Sequence, residues 1–91
     1  MNKTELIAVV AEKAEVTKKD AELVLAAITD TIAETLAGGE KVVITGFGTF
    51  EVRDRVARSG RDPRTGEAIH IPAQKTPAFR AGKGLKDAVK S

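Results

Sequence analysis

Five arginines and three prolines lie in the stretch from residue 53 to residue 77, which has few large apolar side chains. The arginines are Arg53, Arg55, Arg58, Arg61 and Arg64. Within the segment 61–66, Pro63 fixes its own φ and Gly66 tolerates a positive φ, as a turn requires. An isolated hairpin is only marginally stable in water and offers no core to these arginines. The stretch therefore predicts a two-stranded ribbon that lies against a polyanion, and nucleic acid is the polyanion we expect.

The first 40 residues predict two helices that form a base for this ribbon. Asn2 caps the first helix with Glu5 three residues later, and Thr17 caps the second helix with Asp20 in the same relation. The pair Gly38-Gly39 ends the second helix. Its apolar stripe consists of Ala21, Val24, Leu25, Ile28, Ile32 and Leu36. Further apolar residues broaden the stripe beyond one face, which indicates burial on two sides, one of them against a partner subunit.

The remaining residues predict a small antiparallel sheet and a last helix. Residues 41–45 form a β-branched strand, 46–48 a turn, and 49–56 an alternating strand whose Phe50 and Val52 face the core. Phe79 re-enters the body, and a short helix follows from Lys83. The three phenylalanines are the only aromatic residues. We expect them to pack in the core rather than to stack on bases, because so few aromatics make a poor stacking platform.

Composition limits the classes of protein to which the chain can belong. Its 91 residues make one domain, and without the ribbon too few remain for a large core. There is no cysteine to form a disulfide, no apolar run long enough to span a membrane, and no signal peptide. A second copy of the chain is the remaining source of stability, so we predict an obligate homodimer. The charge is polarised: residues 1–40 are net acidic, whereas residues 41–91 carry 11 basic and 5 acidic groups.

Several motifs together closely resemble the HU family of bacterial nucleoid DNA-binding proteins, which is related to integration host factor. They are GFGTFEVR at 46–53, RDPRTG at 61–66, IPA at 71–73 with PAF at 77–79, and MNKTEL at 1–6. The resemblance covers the whole chain. It implies an α+β fold: an intertwined homodimer with a helix-turn-helix base, a three-stranded antiparallel sheet extended into a β-ribbon arm, and a short C-terminal helix. The implied parts are a dimerisation base at 1–40, a sheet body at 41–52 and 77–80, an arm at 53–76, and a helix at 81–91.

The function that the resemblance implies is architectural binding of double-stranded DNA in the minor groove, with little sequence specificity. Pro63 matches the family's wedge between base pairs, which kinks the duplex. Asp62 departs from the asparagine common at this tip, and we expect Arg61 or Arg64 to neutralise it. The implied DNA-binding residues are Lys3, Arg53, Arg55, Arg58, Arg61, Pro63, Arg64, Lys75, Arg80, Lys83 and Lys86. Bent, nicked or junction DNA are candidate preferred forms, RNA is a further candidate ligand, and the expected location is the cytoplasmic nucleoid, where the protein helps compact the DNA.

Three alternatives remain open at this point. The first is a site-specific binder that acts as a heterodimer, as integration host factor does. The second is an enzyme such as a nuclease, which the sequence disfavours: His70 is the only histidine, no carboxylate cluster has metal-ligand spacing, and Ser59 and Ser91 lack an adjacent base. We therefore expect no catalytic residue, metal or cofactor. The third is a hairpin that binds only other proteins.

Overall fold

A computed structural model describes residues 1–55, 58–71 and 73–90 of the chain, with the side chains of Arg58 and Ile71 left out. The expectations for Val56, Ala57, Pro72 and Ser91 fall outside the described residues. The helices are α1 (Lys3–Ala14), α2 (Lys18–Ala37) and α3 (Lys83–Lys90). The strands are β1 (Val42–Ile44), β2 (Gly48–Arg55), β3 (Arg58–Arg61), β4 (Ala68–Ile71) and β5 (Gln74–Ala81). The chain divides into two compact units, Met1–Glu34 and Thr35–Ser91.

The two long helices begin and end at the residues that the sequence predicts. The Asn2 side chain accepts a hydrogen bond from the Glu5 N–H at 2.8 Å, and the Thr17 hydroxyl accepts one from the Asp20 N–H at 3.1 Å. At the end of α2, the N–H groups of Gly39 and Glu40 donate to carbonyls of the last turn, at 2.9 and 3.1 Å. These bonds satisfy groups that every helix terminus leaves without intrahelical partners. Local sequence therefore sets the ends of both helices.

Residue Glu15 ends α1 in an uncommon backbone conformation. Its φ is +57° and its ψ is +45°, in the left-handed region, and its N–H donates to carbonyls of the last helical turn. Glycine usually occupies this position, because a Cβ is crowded there. In the short link that follows, the Val16 N–H donates a hydrogen bond to the Ala11 carbonyl at 3.0 Å.

The helical unit buries little of its apolar surface within one chain. Ala11 and Ala21, at 5% and 3% exposure, are the buried apolar side chains among the described residues. By contrast, Leu23 and Val24 on α2 are 60% and 58% exposed. An apolar groove runs between the two helices and is lined by Ile7, Val10, Ala21, Val24, Leu25 and Ile28. The broad apolar surface predicted for α2 is therefore present and uncovered in the single chain.

Strands β1, β2 and β5 form a three-stranded antiparallel sheet in that order, and β3 pairs with β4 in a separate two-stranded ribbon. All eight residues of β2 pair with β5, from Gly48 opposite Ala81 to Arg55 opposite Gln74. One face of this pair is apolar, since Phe50 lies opposite Phe79 and Val52 opposite Pro77. The ribbon pairs Arg58 with Ile71 and Arg61 with Ala68.

The three phenylalanines pack on one another at the apolar face of the sheet. The ring of Phe79 lies 4.8 Å from that of Phe50 and 5.5 Å from that of Phe47, centroid to centroid, with both pairs tilted by about 50°. Tilted pairs at this separation are favourable for aromatic rings. Gly48 lies against the ring of Phe79, and a Cβ at residue 48 would collide with that ring. The predicted core packing is therefore seen in part: the rings contact one another, but Phe47 and Phe79 remain 45% and 40% exposed in the single chain.

Candidate nucleic-acid interface

The face of β2 and β5 opposite the phenylalanines carries arginines and one carboxylate. Strand alternation places Glu51, Arg53 and Arg55 of β2 on this face, together with Arg80 of β5. The Glu51 Oε1 atom lies 3.6 Å from Arg80 Nε and 3.9 Å from an Arg53 terminal nitrogen. The arginine side chains are 59% and 61% exposed, whereas that of Glu51 is 15% exposed. The face thus presents accessible guanidinium groups around a nearly covered anion.

Further along the same strands, Asp54 lies opposite Lys75 and Arg55 opposite Gln74. All four residues are exposed. A carboxylate directly opposite an ammonium group contributes only a fraction of a kcal/mol in such an exposed pair. Arg55 and Lys75 are therefore available to a ligand at the root of the ribbon.

The tip of the ribbon is a loop closed by its own hydrogen bonds. The backbone of Asp62 donates to the Glu67 carbonyl and accepts from the Gly66 N–H, both at 2.8 Å. Gly66 has a φ of +75°, so the turn uses the conformation that this glycine was predicted to supply. The Arg61 guanidinium donates to the Gly66 carbonyl at 3.1 Å. The loop therefore holds the exposed side chains of Pro63 and Arg64 in a defined place.

The carboxylate of Asp62 has a role that the sequence did not predict. Its Oδ1 atom accepts a hydrogen bond from the backbone N–H of Arg64 at 2.8 Å, across the proline. We expected an arginine side chain to neutralise this charge, and the structure instead shows it bound to a backbone amide. Short polar side chains often stabilise turns in this way. Asp62 therefore supports the tip turn and also adds a negative charge beside Pro63.

The predicted body residues lie on α1, on β5 and on α3. In the helical unit, Lys3 begins α1 and shares a surface cleft with Lys18 and Lys19 at the start of α2. In the other unit, Lys83 and Lys86 are exposed on α3, and Arg80 precedes them on β5. Lys18 and Lys19 were not among the residues that the sequence predicted to bind DNA. Their position next to the second helix cap was the signal that could have included them.

A metal site would need several ligating side chains close together. No group of histidine, aspartate or glutamate side chains among the described residues could hold a metal ion. His70 is exposed on β4, opposite Ser59 of β3. None of the described helices is long and apolar enough to cross a membrane.

Comparison with known proteins identifies the chain. The family described as Bacterial DNA-binding protein matches residues 1–90. A prophage-derived DNA-binding protein HU 2 of Bacillus subtilis is 63% identical over 91 residues, which cover all of this chain and 99% of the relative. DNA-binding protein HU of Staphylococcus aureus is 60% identical over 90 residues, covering 99% of this chain and 100% of the relative.

Solved structures of HU proteins also match this chain. An Anabaena HU–DNA cocrystal structure matches with a TM-score of 0.88 and 54% identity, over 98% of this chain and 97% of that one. HU from Thermotoga maritima matches with a TM-score of 0.69 and 43% identity, over 98% of both chains.

Fold and similarity together define a bacterial, nucleoid-associated architectural DNA-binding protein rather than an enzyme. The chain belongs to the HU family. HU proteins bind double-stranded DNA and form dimers. The predicted family is therefore confirmed, as are the predicted class of function and the α+β fold with its three-stranded sheet and ribbon.

Proposed function

We propose that two copies of this chain bind double-stranded DNA between their ribbons, bend it with little regard to sequence, and help compact the nucleoid in the bacterial cytoplasm. One observation carries this proposal. Exposed cations lie along β2, β5 and the tip, and an exposed proline lies at the end of the same ribbon. The residues assigned to DNA are Lys3, Arg53, Arg55, Arg58, Arg61, Pro63, Arg64, Lys75, Arg80, Lys83 and Lys86.

The cations supply affinity without reading sequence. Arg53, Arg55, Arg64 and Lys75 are exposed, so their charged groups can replace counterions along the phosphate backbone. Minor-groove edges distinguish A·T from G·C pairs and little else, so arginines placed there respond chiefly to groove width. Binding should therefore weaken steeply as salt rises and vary little among sequences.

The tip supplies the bend. A proline ring is apolar and brings no N–H group, so it can enter an unstacked base step without leaving a donor unpaired. Unstacking costs a few kcal/mol per step, which the contacts of the bent duplex repay. The hydrogen bonds that close the loop around Asp62 and Gly66 hold Pro63 in place for this role.

The helical unit supplies the dimer. Leu6, Val10, Leu23, Val24 and Ile28 are each 39–60% exposed in the single chain. Contiguous apolar surface of this kind marks a protein interface. A second copy of α1 and α2 would cover it, which supports an obligate homodimer whose base is residues 1–40. In this division, residues 41–52 and 77–80 form the sheet body, 53–76 the arm and 81–91 the last helix.

A ring-closure assay on short linear DNA tests the bend. Pro63→Ala should lose most of the acceleration of circularisation while binding within about threefold of the parent, because the cations remain. Pro77→Ala is the matched control, since Pro77 is an exposed proline of β5 opposite Val52. It should circularise DNA as the parent does. Unchanged circularisation by Pro63→Ala would remove the wedge from the proposal.

A competition assay tests sequence tolerance. Arg55→Ala should weaken binding to A·T-rich, G·C-rich and mixed duplexes by similar factors, since a phosphate contact carries no sequence information. Weaker binding confined to one sequence would instead indicate base recognition by Arg55.

A further inference from the structure

Glu51 is a nearly covered carboxylate at the centre of an otherwise cationic surface. Its Oε1 atom is buried and has no hydrogen-bond partner within the described chain, although two guanidinium groups lie within 4 Å of it. Taking a carboxylate out of water is costly unless it is paired. The negative charge of Glu51 repels an anionic ligand. Any favourable effect of Glu51 on binding must therefore come through the side chains that it contacts.

The sheet register explains how Glu51 reaches both arginines. Arg53 lies two residues further along β2 and therefore on the same face. Arg80 lies opposite Thr49 on β5, so it is the diagonal neighbour of Glu51 across the strands. Without an anion between them, two guanidinium groups on one small patch would repel each other. Glu51 therefore draws one arginine from each strand to the same point.

The distances show that Glu51 attracts these arginines without using their hydrogen-bond donors. At 3.6 and 3.9 Å, both contacts are longer than a hydrogen bond, and both arginine side chains are about 60% exposed. An arginine carries five N–H donors in a planar fork that suits phosphate oxygens. The donors of Arg53 and Arg80 thus remain available to a ligand outside the sheet.

We infer that Glu51 is a positioning residue for DNA, which holds Arg53 and Arg80 together as a two-arginine phosphate site at the root of the ribbon. This inference rests on the proposed function, and it makes that function more specific. Removal of the Glu51 charge releases the two side chains into separate orientations, so a phosphate meets one guanidinium group instead of two.

The test measures DNA affinity over a range of salt concentrations for the full-length parent, Glu51→Gln and Asp54→Asn. Each phosphate contact contributes about 0.9 to the slope of log K against log salt. Glu51→Gln should weaken binding about fivefold and keep the slope, because each arm still contacts the same phosphate, but with one guanidinium group instead of two. Asp54→Asn is the matched control, because it removes a carboxylate from the same strand on the opposite face. It should strengthen binding and keep the slope.

The same substitution in a protein without the two arginines shows whether Glu51 acts through them. In a protein that already carries Arg53→Ala and Arg80→Ala, Glu51→Gln should no longer weaken binding. Circular dichroism checks that each variant folds, and Glu51→Asp, which keeps the charge but shortens the reach, replaces Glu51→Gln if that variant unfolds. Binding by Glu51→Gln that is as strong as that of the parent, or stronger, would overturn the inference and leave only charge repulsion. Absence of DNA binding by the parent would instead overturn the proposed function.

Discussion

The Asp62→Asn substitution separates the two roles of this side chain at the tip of the ribbon. Asparagine keeps an oxygen that can accept the hydrogen bond from the Arg64 N–H, observed at 2.8 Å. It removes the negative charge, so the formal net charge of each chain rises from its present +2 by one. We therefore expect the turn to persist and DNA binding to strengthen.

The magnitude follows from Coulomb's law for one carboxylate near one phosphate. At a separation of about 6 Å in water, two unit charges repel by about 0.7 kcal/mol. Salt at about 0.1 M, with a screening length of about 10 Å, reduces this by about half. In a dimer with two arms, Asp62→Asn should therefore make the free energy of DNA binding more favourable by about 0.7 kcal/mol, which is about a threefold increase in affinity. The gain should grow as salt is lowered.

A gel-shift titration at two salt concentrations measures this effect. Asp62→Ala removes the same charge together with the acceptor for Arg64, so it should bind less tightly than Asp62→Asn and bend DNA less. Glu12→Gln removes a charge from α1 and serves as the control, with no expected change in affinity. Equal or weaker binding by Asp62→Asn than by the parent, at both salt concentrations, would refute the reasoning about charge at the tip.

Three predictions concern the stability of the protein, measured by urea unfolding at one fixed protein concentration because dimer stability depends on concentration. Gly48→Ala should destabilise by about 2 kcal/mol or more, since the new Cβ meets the Phe79 ring and lies 2.8 Å from the Arg80 carbonyl oxygen; an unchanged midpoint would mean that the sheet shifts freely. Glu15→Gly should stabilise by about 0.5–1 kcal/mol by relieving the left-handed conformation, and destabilisation would contradict this. Thr17→Ala should cost about 1 kcal/mol, whereas Thr17→Ser should retain most of the cap.

Features that depend on short stretches of sequence were predictable. The caps at Asn2 and Thr17 each join atoms three residues apart, so the residue types alone indicated them. The turn at Gly66 was predictable for the same reason. Strand alternation placed Phe50 and Val52 on the apolar face of β2, and the structure shows both half-buried.

Features that depend on pairing between distant strands were not predictable. The contact between Glu51 and Arg80 joins strands separated by the whole ribbon, and a register shift of one residue would place them on opposite faces. The position of the Phe79 ring over Gly48 depends on the same register. The bond from Arg64 to Asp62 is local, but charge led us to expect a side-chain partner for the carboxylate instead of a backbone one.

The slope of log affinity against log salt tests the central claim most directly, that exposed arginines of the ribbon bind the phosphates of duplex DNA. The comparison is between the parent and a variant in which Arg55, Arg61 and Arg64 are all alanine. We predict a steep slope for the parent, and a slope lowered by about 0.9 for each phosphate that the variant no longer binds. A flat slope for the parent, or an equal slope for both proteins, would contradict the claim.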